Sequence, residues 1–359
     1  MKMSLVKVII AVLTLSLLLV GCGSQQTKPA DGQKKLVFGM IVKDISTPYI
    51  QAFIQGAEKK AQELGVEIVI KDGQGDSDKI MSIMDNFITQ NVDGFIMAGA
   101  VDLKAIVPGV KRLNEAKIPV MALDTSPEGG KVDLFVSFDI KDASKKAAEA
   151  FVQGIKDRNG GNVPQGIVVE ITGDLRDMFT KECSSGFKSV IDQYPQLTIV
   201  QGEGKWNNTD SNDRTSDLLT RYGKEIRGIY VQTPDIMGIG VVSAIEAAGL
   251  KAEDFGIAGI CIGPEGIDLI KNKKVLAIVE QPAKDSAELA VQYLYNIKTN
   301  KPIPKIGDTV EQKDALWAPA KVVKNPFVDE GAYMILKGSL VPLEVKVDDP
   351  RLWENQLDK

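Results

Sequence analysis

The side chains able to do chemistry in this chain are carboxylates and cysteines, because none of its 359 residues is histidine. That absence removes Ser-His-Asp and Cys-His nucleophilic arrangements, the histidine-containing zinc motifs and imidazole general-base chemistry. Asp44 and Asp124 end apolar runs, and Asp177 and Asp235 stand at helix starts. Paired carboxylates perform acid-base work without histidine, so a carboxylate-dependent hydrolase is one reading. Aspartates at the strand ends of a cleft that only binds are the other. Of the three cysteines, Cys183 and Cys261 read as buried free thiols, with a bridge between them as the alternative that spacing alone leaves open.

The third cysteine, Cys22, belongs to an address. Residues 1–22 read MKMSLVKVIIAVLTLSLLLVGC, with Lys2 and Lys7, an apolar run from Val8 to Val20, then Gly21 and Cys22. The run is shorter than the roughly 20 residues that cross a bilayer, so it reads as a signal peptide over residues 1–21. Its ending, LVGC, is similar to the bacterial lipobox, which implies a diacylglyceryl group on Cys22. Two acyl chains suffice for stable attachment. The polar stretch GSQQTKPADGQKK that follows makes residues 22–34 a tether with a reach of about 20 Å. The chain is therefore expected outside the cytoplasm, on the membrane.

Of the chain, 44% is hydrophobic and 25% charged, enough for two domains with cores of their own. Lys and Arg total 43 against 48 Asp and Glu, net charge −5, with no basic block, so nucleic acid is a poor partner. No phosphate-binding GxxxxGK[ST] motif is present, so an ATPase, if needed, is another subunit. No cofactor or metal is expected.

The body must position these residues. From Lys35 on, short apolar runs alternate with helix-period segments: KLVFGMIV, VEIVI, GFIMA and IPVMALD form one set, and GIVVEI, LTIVQG, RGIYVQ, FGIAGI and LAIVEQ a second after DLFVSF. Alternation of this kind predicts an α/β fold of two doubly wound, parallel-sheet lobes. Ligands of such sheets bind beyond the carboxyl ends of the strands, so two facing lobes place two sets of strand-end loops around one cleft. From Lys313 the pattern changes to short strand-like runs with Pro and Trp, read as a strand-and-loop tail packed on the lobes.

Several segments in order, VKDISTPYIQAFIQGAEKKAQELG, NVDGFIMAGA, IPVMALD, SSGF, TPDIMGIGVVSAIEAAG and EQPAKDSAELAVQYL, resemble the type I periplasmic binding proteins of the ribose-, galactose- and autoinducer-binding branch, from about Lys35 to Ile303. The resemblance implies two Rossmann-like lobes joined by a three-strand hinge, with crossings near Ser137, Gln281 and shortly beyond Ile306. It divides the chain into 35–137 plus about 282–306 as N-terminal lobe, 138–281 plus part of 307–345 as C-terminal lobe, and 346–359 as a tail.

It also implies pocket positions. Tyr49 and Trp206 correspond to aromatic rings on opposite faces of a sugar, Asp124 to a hydroxyl-accepting carboxylate, Gln281 to a ligand-contacting glutamine and Asp235 to part of an Asn-Asp pair. Lys43 and Asp44 end the first strand; a lysine there implies a ligand with a carboxylate, phosphate or polarised carbonyl. Ser137 marks the first crossing, and Asp177 and Met178 are further lining. Where sugar-binding relatives carry arginines this chain has Thr125 and Cys183, and Cys261 replaces an aspartate. Fully hydroxylated hexoses and pentoses would leave groups unpaired at about 1–3 kcal/mol each, so a smaller or partly apolar sugar-like or polyol-like ligand is expected. The implied function is a monomeric, non-enzymatic solute-binding protein serving an ABC importer; a receptor presenting a furanosyl signal to a sensor kinase is the alternative, and the hydrolase the alternative of another class.

Overall fold

The structure is a computed structural model that describes residues 35–100 and 102–356. The expected signal peptide, the tether and Cys22 lie outside the described residues, as does the end of the expected tail.

The first run forms β1 (Val37–Val42), almost wholly buried because helices cover both faces of its sheet. Thr47 then caps α1 (Pro48–Leu64) by accepting a hydrogen bond from Ile50 N, and Pro48 supplies a helical φ at the first position. The alternation continues through β2 (Glu67–Asp72), α2 (Ser77–Thr89), β3 (Gly94–Ala98), α3 (Val107–Glu115), β4 (Val120–Leu123) and β5 (Lys131–Phe138).

A second round begins with α4 (Ile140–Arg158) and runs through β6 (Gly166–Thr172), α5 (Met178–Ile191), β7 (Leu197–Glu203), α6 (Asn208–Tyr222), β8 (Ile226–Val231), α7 (Pro234–Ala247), β9 (Ala258–Ile260), α8 (Pro264–Lys271) and β10 (Ala277–Val279). The strands of the first sheet run in the order β2-β1-β3-β4-β5 and those of the second β7-β6-β8-β9-β10, all parallel. The lobes are thus repeats of one topology.

After β10 the chain returns to the first lobe. Ala283, Ala287, Ala290, Val291 and Leu294 of α9 (Ala283–Lys298) join Phe53, Ala57 and Ala61 of α1 in one core. The helices meet so closely at Gly56 that a Cβ there would lie 2.3 Å from the Lys284 carbonyl oxygen.

The segment beyond Ile306 departs from expectation. It stays in the first lobe, where β11 (Thr309–Val310), β12 (Ala320–Lys324) and β13 (Glu330–Leu336) extend the sheet beside β5. Only β14 (Leu340–Val341) joins the second sheet, antiparallel to β10. The third crossing is therefore at residues 337–339, and most of 307–345 belongs to the N-terminal lobe. The reason is pairing: β13 runs parallel to β5 along its length, and the β12 hairpin partner keeps it there. Both sheets are accordingly mixed, with antiparallel strands at one edge.

The first two crossings fall at Asp139 and at residues 280–282. Glu280 N donates to Ser339 O at 2.8 Å, which ties the second crossing to the third. The final segment is no loose tail. Leu352 is buried in the core of the second lobe and Trp353 in that of the first, and the Trp353 indole N–H donates to Gln281 O at 2.9 Å.

Candidate ligand cleft

A cavity of about 180 Å³ opens where the carboxyl ends of the two sheets meet. Its walls come from the residues just past β1, β4, β6, β7, β8, β9 and β10, so the doubly wound topology itself gathers them.

On the first lobe's side the centre is Asp124, immediately after β4 and held at φ 64°. Left-handed backbone is uncommon for a residue other than glycine, and aspartate is among the side chains that tolerate it. The Ser137 hydroxyl donates to Asp124 O at 3.1 Å and fixes that turn. Tyr49 OH donates to Asp124 Oδ1 at 3.0 Å, and Gln281 Nε2 donates to the same oxygen at 3.2 Å. Gln281 Nε2 also meets Tyr49 OH, while the Cys261 thiol donates to Gln281 Oε1 at 2.7 Å. Burial pushes the Asp124 carboxyl up to about 6, against the pull of Lys43 and of its two hydrogen-bond donors.

On the second lobe's side Trp206 sits at φ 59° in the loop after β7. Its ring lies so close over Gly173 that a Cβ there would come within 2.0 Å of it, which only glycine permits. Phe179 meets Trp206 edge to face at 5.7 Å between ring centres. Asp177 caps α5: its Oδ1 accepts from Phe179 N at 3.0 Å, and its Oδ2 accepts from Lys43 Nζ of the other lobe at 2.8 Å. Burial alone would lower the Lys43 ammonium, but Asp177, Asp124 and Asp174 together raise it.

Asp235, in the first turn of α7, completes this wall with Thr233 and Ile236. Burial pushes its carboxyl up to about 8, Glu265 adds to the rise, and backbone N–H groups of the helix start oppose it. Asp235 Oδ1, Thr233 Oγ1 and Trp206 Nε1 are buried with no hydrogen-bond partner among the described residues.

The chain matches the family described as Periplasmic binding protein domain over residues 38–302. It belongs to that family. The ribose import binding protein of Bacillus subtilis is 28% identical over 83% of this chain and 95% of its own length. The D-apiose import binding protein of Actinobacillus succinogenes is 24% identical over 76% of this chain and 87% of its own. The crystal structure of a galactofuranose binding protein superposes with a TM-score of 0.71 at 22% identity, covering 89% of this chain and 97% of that one, and shares its fold. As a periplasmic binding protein this chain is an extracytoplasmic binding component of ABC transport and not an enzyme.

Within this periplasmic binding protein, the expected residues Lys43, Asp44, Tyr49, Asp124, Asp177, Trp206, Asp235, Cys261 and Gln281 line the cavity. Four others do not. Thr125 turns into the protein, with 1% exposure, because the left-handed turn at Asp124 reverses the chain. Ser137 acts one layer behind, on the Asp124 carbonyl. Met178 packs among core residues of both lobes while its neighbour Phe179 takes the cavity face. Cys183 is fully buried beside the Ser144 and Tyr230 hydroxyls, and burial pushes its thiol up to about 12. It is free, as is Cys261. Lys43, expected to favour an anionic ligand, is paired with Asp177 at 2.8 Å. Sequence reasoning missed Thr47, Ile50, Phe179, Thr233 and Ile236. Each is one to three residues from an expected position, a signal that helical phase at Tyr49, Asp177 and Asp235 could have used.

Proposed function

We propose that the chain is the lipid-anchored receptor subunit of an ABC importer, which closes its two lobes on a small sugar-like or polyol-like ligand. The observation that carries this reading is the trio of unpartnered polar atoms, Asp235 Oδ1, Thr233 Oγ1 and Trp206 Nε1, set beside aromatic faces in a cavity between two lobes. Buried polar groups without partners are rare in folded proteins, and a hydroxylated solute would satisfy them. The rings of Tyr49 and Trp206 offer flat surfaces to the C–H face of such a molecule at small entropic cost. The curated relatives named for ribose and apiose import support the same class. Closure would follow from the ligand touching both halves, which raises the closed population by its difference in affinity for the two states.

The test is a thermal-shift screen over pentoses, deoxysugars, furanoses and polyols, because a ligand at 100 times its dissociation constant adds about 2.7 kcal/mol of stability. A hit must also compact the protein in solution scattering; a hit set that leaves the scattering curve unchanged speaks against closure. For the anchor, Cys22→Ser is expected to move the protein from the membrane fraction to the soluble one, and unchanged fractionation would sink lipidation.

A further inference from the structure

We propose that the ligand carries a protonated amine beside its hydroxyl groups, and that Asp235 receives it. This rests on the sugar-like or polyol-like reading above and narrows it.

The starting point is charge. Among the described lining residues there is one cation, Lys43, and four carboxyls, Asp44, Asp124, Asp177 and Asp235; arginine contributes nothing. Lys43 Nζ sits 2.8 Å from Asp177 Oδ2, so the single positive charge of the cleft already has its partner. An anionic ligand would enter a site with surplus carboxylate and no free cation.

Asp235 is the carboxyl with the strongest demand. It is 7% exposed, and its Oδ1 has no partner. The ionisable groups that act on it from neighbouring elements bring no positive charge: Glu265 of α8, Cys261 past β9, Glu354 of the C-terminal segment and Tyr49 across the cleft. Glu265 Oε2 is itself buried without a partner. A second, independent observation lies beside it. Thr233 Oγ1, on a residue 4% exposed, and Trp206 Nε1 also lack partners among the described residues, and both residues line the cavity, where a ligand hydroxyl could accept from the indole N–H.

A neutral hydroxyl would make one hydrogen bond with Asp235 and bring no charge to the pocket. An ammonium group brings three donors and a positive charge, and the faces of Trp206 and Tyr49 suit a cation next to them. A bound ammonium would draw Asp235, which burial holds near 8, into its ionised form. Binding near neutral pH would then release a proton from the protein.

The experiment is titration calorimetry of the mature chain with matched pairs that differ in one group: fucose and fucosamine, erythritol and an aminodeoxyerythritol, myo-inositol and an aminodeoxyinositol, glycerol and serinol. The expected result is at least one amine binding tenfold or more tighter than its hydroxyl parent, with proton release seen as a dependence of the heat on buffer ionisation enthalpy. Asp235→Asn, checked for folding by thermal unfolding, should erase that preference. Neutral members binding as tightly as their amines, or more so, would overturn the amine while leaving the sugar-like reading intact. No binding in either arm would overturn both, and a preference that survives Asp235→Asn would overturn the placement. Should the variant not fold, the wild-type ratios and the proton release still decide.

Discussion

Lys43 of the first lobe and Asp177 of the second form an ion pair of 2.8 Å across the cleft. They occupy related places, since Lys43 follows β1 and Asp177 follows β6, the strands at the same point in each sheet. The pair therefore joins the lobes at the site itself rather than at the hinge. Asp177 is 2% exposed at its side chain and Lys43 24%, so the contact is screened on one side only. Removing the ammonium by Lys43→Met leaves a buried carboxylate with only its backbone partner, at about 1–3 kcal/mol. The expected outcome is a more open ligand-free protein, seen as a larger radius of gyration, together with a lower urea midpoint. An unchanged scattering profile would show that the pair does not hold the lobes.

Trp206 and Gly173 give a test that leaves the aromatic side chain in place. Gly173→Ala sets a methyl group 2.0 Å from the indole, and the ring must move. Ligand affinity should fall at least tenfold, whereas Trp206→Ala should cost more, in the range of 2 kcal/mol or above typical of aromatic anchors. Calorimetry with the same ligand on both variants measures the two losses; equal affinity in Gly173→Ala and wild type would place the ring outside the site.

Stability should decline as pH rises from about 4 to 8. In the folded chain burial holds Asp124 near 6 and Asp235 near 8, against an ordinary 3.8 for each, and Glu280 near 8 against 4.5. The unfolded chain gives up these protons first, so the folded state binds more of them throughout that window. The stabilisation is complete below the unfolded values and is lost as pH passes the folded ones. Each group contributes up to about 1.4 kcal/mol per pH unit within its window. Urea midpoints at pH 5 and pH 8 check the sign, and Glu280→Gln should flatten the slope. A midpoint that climbs with pH would contradict the burial of these acids.

The C-terminal segment fastens the hinge. Leu352 and Trp353 enter different lobes, and the Trp353 indole donates to Gln281 O within the second crossing. Trp353→Phe keeps most of the apolar contact and removes one hydrogen bond, at about 1 kcal/mol. Amide exchange at residues 280–283 should quicken in that variant, and exchange that stays at the wild-type rate would show that the segment only covers the hinge.

The alternation of buried strands with capped helices was legible in the chain, because burial on both faces imposes continuous apolar runs and a parallel crossover needs a helix between them. The family resemblance pointed to Asp124, Trp206 and Asp235, and the topology agrees with it, since loops past the carboxyl strand ends border the cleft. Orientation at the level of one residue was not legible. Asp177, Met178 and Phe179 are consecutive, yet the first caps a helix and grips Lys43, the second packs in the core and the third faces the cavity. Only the docking of α5 decides which is which.

Long-range pairing lay equally beyond reach of the linear text. Local pattern marks β12, β13 and β14 as strands, but which sheet each joins depends on partners distant in sequence, Lys131–Phe138 for β13 and Ala277–Val279 for β14. The chain by itself determined composition, strand and helix order and the chemistry on offer, the order being set by local preference and periodicity. The tertiary structure alone decided that Lys43 pairs with Asp177 and that Asp235 has no cationic partner among the described residues, because both depend on which side chains meet across a gap between lobes.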